Sequence, residues 1–237
     1  MSITLEKMTR EVVLVKEAKG LGNQTAEVWA VIDISASIRS YFENGTMQAI
    51  IDRAMAVGMG FDANKQIDVV SFGVNSHYEG TVTERNYSGF ANDIYRKRNL
   101  EGGTQYAEAI KTIRDKTIMA KQGGIAGFFG VKKETKTLDK PVYVLFFTDG
   151  DNQDKDETTK LIKELSKYGI FFQFIGVGNA SFNYLQKLDD MSGRVLDNVD
   201  FFPAKDVVSM DNKVLFEKMI NEFAKWVPQA RAKGIIN

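Results

Sequence analysis

The chain has 237 residues, of which 43% are hydrophobic, 26% charged and 11% aromatic; this excludes a disordered or fibrous protein and suffices for one large core in an open α/β sheet. Lys plus Arg and Asp plus Glu both number 31, so no whole-molecule field draws the chain to nucleic acid or anionic lipid. Cysteine does not occur, which excludes disulfides, thiolate metal sites and thiol nucleophiles and suits a reducing compartment.

The opening stretch, MSITLEKMTREVVLVKEAKG, breaks its apolar residues with charges every few positions. It has neither the apolar run of a signal peptide nor the length of a membrane span, and we expect a cytoplasmic protein. Residues 1–25 are expected to pack as an extension on one domain covering 26–237.

EVWAVIDI (27–34) reads as the first central strand. QIDVVSFG (66–73), PVYVLFFTDG (141–150) and GIFFQFIGVG (169–178) follow, and three of these four runs are nearly continuously apolar, as in parallel strands covered on both faces. HYEGTVTE (77–84) alternates and predicts an antiparallel edge strand.

Between the strands the spacing is helical. Met47, Ile50, Ile51, Ala54, Met55 and Met59 form a stripe over 46–60; Ala107, Ile110, Ile113 and Ile118 do so over 104–119, and Leu161, Ile162 and Leu165 over 156–168. A last helix is expected over 213–227, with Leu215, Phe216, Met219, Ile220, Phe223 and Trp226 on its core face and Pro228 as its stop. The Gly- and Lys-rich segment 121–140 reads as a long surface loop, in which Ile125, Phe128 and Phe129 either tuck into the core or meet a partner. Alternating strands and helices joined by right-handed crossovers predict a doubly wound, mostly parallel sheet with helices on both faces.

Ligands of such sheets bind outside the carboxyl ends of the strands, where the strand order reverses. Asp33, Ser35 and Ser37 fall at and just beyond the end of the first strand, Asp149 ends the strand VYVLFFTDG, and Thr104 opens a helix after Gly102 and Gly103. Two carboxylates and three hydroxyls make a hard, oxygen-only set that suits Mg²⁺ or Mn²⁺ better than Zn²⁺. Both Ser35 and Ser37 can face one ion from a loop leaving a strand, and the paired glycines permit the tight turn that brings in Thr104.

Asp-x-Ser-x-Ser, Gly-Gly-Thr and Thr-Asp-Gly in this order resemble the metal-ion-dependent adhesion site of von Willebrand factor A domains. The resemblance implies the Rossmann-like vWA fold with six strands. It also implies that Ser35, Ser37 and Thr104 bind Mg²⁺ (or Mn²⁺/Ca²⁺) directly, Asp33 and Asp149 hold it mainly through water, and a partner's carboxylate completes the shell. VVLVKEA, VWAVIDISAS, FFQFIGVGNASFNYLQKLDDM, GRVLDNVDFF and EFAKWVPQA are further similar to the tellurium-resistance TerF-type A domain, over about 12–231. That likeness implies a bacterial or phage-borne protein of the tellurite and stress response, and the short stretch before the first strand implies a stand-alone A domain without a TerD-type neighbour. Ala36 and Ile38 stand where many A domains carry Gly and Met, a departure that touches affinity and removes no ligand.

Other features have plainer readings. Asp151, Asp154, Asp156 and Glu157 are expected to cap the following helix, His77 to be solvent-exposed on the edge strand, and YRKRN (95–99) to be a solvated helix end. GVGNAS (176–181) lacks the third glycine of a dinucleotide loop. The expected function is a non-enzymatic, divalent-metal-dependent protein-binding module. Its partner offers an acidic residue, another tellurium-resistance protein being one candidate, with no nucleic acid involved. The alternatives are a Mg²⁺-dependent phosphoryl-transfer or hydrolytic enzyme, for which the chain has no G-x-x-x-x-G-K-[ST] loop, and a metal-free structural scaffold.

Overall fold

The computed structural model describes residues 5–119 and 138–237, so the predicted loop at 121–140 lies outside the described residues as far as 137. Six strands form one sheet: β1 (Glu27–Asp33), β2 (Gln66–Phe72), β3 (Ser76–Thr83), β4 (Val142–Thr148), β5 (Ile170–Val177) and β6 (Val199–Ala204). Their order is β3-β2-β1-β4-β5-β6, and every neighbouring pair is parallel except β2 with β3. β4 and β5 are buried along their whole length, which is why their sequences do not alternate. β6 carries Pro203, a residue that a sheet accommodates at its edge.

The helices divide between the two faces. Val28, Ala30 and Ile32 of β1 point into a core shared with α1 (Leu5–Ala18), α3 (Thr46–Phe61) and α8 (Asn212–Ala232). Trp29 and Val31 point the other way, into a core with α5 (Tyr106–Arg114), α6 (Lys155–Leu165) and α7 (Asn183–Asp189). The short helices α2 (Arg39–Glu43) and α4 (Phe90–Lys97) flank α3. Leu5, Met8, Val12 and Val15 of α1 are buried against α3 and α8. At about 25 cal/mol per Å² of apolar surface, each such side chain contributes roughly 1.5–3 kcal/mol.

Two local differences from the sequence reading have physical causes. Pro228 does not stop the last helix, which runs on to Ala232: Phe223, Trp226 and Val227 before it and Ala230 after it are all buried, and this packing outweighs the loss of one backbone hydrogen bond. α5 is regular only to Arg114 and continues as a π-helical turn over Asp115–Met119. Among the described residues no helix is long and apolar enough to cross a membrane.

Candidate metal centre

The chain leaves β1 toward β2 on one side, while β4 lies on the other, so strand order reverses between β1 and β4. At that crevice Asp33 ends β1 with no exposed surface. One of its carboxylate oxygens accepts the Ser35 backbone N–H at 2.7 Å, and the other accepts the Thr148 hydroxyl at 2.8 Å. The Ser35 and Ser37 hydroxyls are 3.0 Å apart, and Ser37 donates to Asp149 at 3.0 Å. The sequence-predicted Asp33, Ser35, Ser37 and Asp149 therefore meet in a continuous set of polar contacts.

Thr104 arrives by backbone pairing. Glu101 forms a parallel bridge with Ser35: its N–H donates to Ile34 O (2.9 Å) and its carbonyl accepts from Ala36 N (2.8 Å). From the other side Gln153 N–H donates to Thr104 O at 2.9 Å. The Thr104 hydroxyl makes no hydrogen bond with the other four side chains. Its loop is tied to both the β1 and the β4 loops through the main chain.

Burial pushes the Asp33 carboxyl up to about 6, with Ser35 opposing the shift and Asp149 adding to it. Burial also raises Asp149, while Ser37 opposes that shift. Among the described residues neither carboxylate is ion-paired with a Lys or Arg. A buried and a half-buried acid without an opposite charge suit a cation, and a donor set made only of carboxylate and hydroxyl oxygens suits a hard one. The described residues contain no cluster of three or more His, Cys, Asp and Glu placed to hold a metal. This set has two carboxylates, and its remaining donors are hydroxyls.

Two supporting residues, Tyr106 and Thr148, were not among the expected site residues. Tyr106, fully buried at the start of α5, donates its hydroxyl to Thr148 at 3.2 Å and to Gly150 O. Thr148 could have been found from strand parity, since it lies on the same sheet face as Val144 and Phe146; Tyr106 could not. Ile38, in the place of the usual Met, is fully buried in the α3-side core, whereas Ala36 is exposed.

Other expectations are corrected. His77 is half-buried and bonded to Glu101 at 3.0 Å, because Glu101 lies alongside β3. Lys97 and Arg98 are not simply solvated: both bind Glu79, whose side chain is 1% exposed. A register shift opposite Val69 and Val70 leaves Glu79 without a ladder partner, and its carboxylate meets Ser71 and Arg98. Asp154 makes no side-chain cap for its own helix and bonds instead to α5; Asp151 reaches Tyr184 N and Lys155.

A six-stranded, mostly parallel sheet with one antiparallel edge and this site at its switch point defines a von Willebrand factor A domain. The chain belongs to the vWA-TerF-like family, described as the vWA found in the TerF C terminus, whose model matches residues 25–236. It is 28% identical to the uncharacterized protein YcbR of Bacillus subtilis (strain 168) over 98% of this chain and 90% of that protein. The solved SpRpn10 VWA domain is similar in fold, with TM-score 0.52 and 12% identity over 84% of this chain and 95% of that one. So is manganese-loaded TRAP protein of Plasmodium vivax, with TM-score 0.52 and 12% identity over 83% and 74% of the two chains.

Proposed function

We propose that this domain is a divalent-metal-dependent protein-binding module rather than an enzyme. Ser35, Ser37 and Thr104 would bind Mg²⁺, or Mn²⁺ or Ca²⁺, directly, and Asp33 and Asp149 would orient the water around it. The ion would supply a Lewis-acidic position for one carboxylate of a partner protein. The observation that carries this reading is the buried Asp33 and the half-buried Asp149, linked through Ser35 and Ser37 at the switch point, with no Lys or Arg ion-paired to either among the described residues. The TRAP relative, described as manganese-loaded, lends support that this fold accommodates such an ion.

Within the proposal the chain's own residues divide the work. Thr148 and the Ser35 N–H hold the Asp33 carboxylate in one orientation, and Ser37 does so for Asp149. The family name supports a role in the tellurite and stress response; within the proposal that role is played in the cytoplasm of a bacterium. The test is capture of partners from the native host by the intact protein with Mg²⁺ or with chelator, Asp33→Ala serving as control. Partners held only with Mg²⁺ and lost in the variant support the reading; the same partners under all three conditions would sink it.

A further inference from the structure

We infer that Asp154 is the positioning residue for Thr104, acting from the β4 side of the cleft; this rests on the metal-binding reading above. By sequence Asp154 precedes α6 and belongs at its N-terminus. In space its carboxylate is directed elsewhere: one oxygen accepts Tyr106 N–H at 3.1 Å and the other accepts Ala107 N–H at 2.7 Å, the first two amides of α5. These amides have no partner within the helix, and a carboxylate also complements the positive end of its dipole.

The carboxylate is itself held. The Asn152 amide donates to Asp154 at 2.6 Å and to the Thr158 hydroxyl at 3.0 Å, and Asn152 and Thr158 are 3% and 0% exposed. Gln153, next to Asp154, donates its N–H to Thr104 O, and Tyr106 donates its hydroxyl to Gly150 O. Four contacts thus fasten residues 104–107 to residues 150–154, the segment that directly follows Asp149. Among the described residues the Thr104 hydroxyl has no side-chain partner that would orient it, so its position follows from where this backbone is clamped. Asp154 touches no proposed ligand atom and acts only through the segment it grips.

The experiment compares wild type, Asp154→Ala, Asp154→Asn, Thr104→Ala and the Asp154→Ala/Thr104→Ala pair as full-length proteins. Mn²⁺ binding is read by titration calorimetry. Amide exchange over 102–107 is read in chelator. We expect Asp154→Ala to weaken Mn²⁺ about tenfold, the usual scale for residues that orient metal ligands. Asp154→Asn should recover part of that loss, and the alanine should have no further effect once Thr104 is gone. Exchange at Tyr106 and Ala107 should quicken in Asp154→Ala without ion. Unchanged exchange there, or equal losses with and without Thr104, would overturn the inference. Wild type that takes up no Mn²⁺ overturns the metal reading alone, and the exchange of 102–107 then decides the role of Asp154 by itself.

Discussion

The Ser37 hydroxyl lies 3.0 Å from an Asp149 carboxylate oxygen although 112 positions separate the two residues. Together with the Thr148 hydroxyl on Asp33, this contact spans the ends of β1 and β4. It also places an exposed hydroxyl beside a half-buried acid.

An ion that binds only the folded protein raises its unfolding midpoint. At a hundredfold excess over the dissociation constant the gain is about 2.7 kcal/mol. Thermal scans with Mn²⁺ and Mg²⁺ should show an upward shift that chelator reverses and that Ser37→Ala reduces. Because Ser37 is exposed, the ion-free midpoint of that variant should move by no more than about 0.5 kcal/mol equivalent.

Asp33→Asn should abolish the ion-dependent shift and yet leave the chelated protein at least as stable as wild type at pH 7.5. The carboxylate is fully buried, faces Asp149 and, among the described residues, is ion-paired with no Lys or Arg. An amide of the same shape keeps an acceptor for Ser35 N–H and offers a donor to Thr148, whose hydroxyl can turn to Gly150 O at 3.2 Å. Urea unfolding in chelator is the measurement, and a marked loss of stability would contradict this account.

Asp189 sets a pH dependence away from the cleft. Burial, then Asp200, Asp197 and Asp190, push its carboxyl up to about 7, against a smaller opposing effect of Arg194. Its folded value exceeds its unfolded one, so between about 4 and 7 the native state binds more protons. The resulting cost is absent below that window, grows as pH rises through it, and is complete above it. Urea midpoints in chelator should fall from pH 5 to 8 in wild type, and Asp189→Asn should flatten the fall and raise the midpoint at pH 8.

Gly58→Ala tests the contact of α3 with β2. A Cβ there would lie 2.8 Å from Gln66 O and collide with the Ile67 side chain. Backbone must shift to admit it, and overpacking of this kind costs roughly 1–3 kcal/mol. Urea unfolding should show that loss with little change in Mn²⁺ affinity, because the contact lies at the start of β2, at the opposite end of that strand from the cleft.

The central strands were legible because sheets covered on both faces demand continuous apolar runs, and β4 and β5 have them. The candidate residues Asp33, Ser35, Ser37 and Asp149 stood out because polar side chains at and just beyond strand ends contradict the core pattern beside them, and Thr104 because it follows two glycines; that they hold an ion is the proposal. Asp154 was misread for a physical reason: local sequence shows only the helix it precedes, whereas its carboxylate answers amides of α5. His77 was misread likewise, since Glu101 comes to it from a loop 24 positions on. Pro228 shows the same limit, a local breaker overruled by buried neighbours.

The clamp between 104–107 and 150–154 has a mechanical consequence. Thr104 and Asp149 arrive at the cleft clamped to each other's loops, Ser35 and Ser37 on the loop after β1, and an ion bound by Ser35, Ser37 and Thr104 would tie the two loops further together. Tension applied by a bound partner would then pass into β1 and β4 together. These strands lie side by side in the centre of the sheet, with Glu27 to Ile32 matched to Val142 to Phe147, and sliding one along the other requires the whole ladder to yield at once.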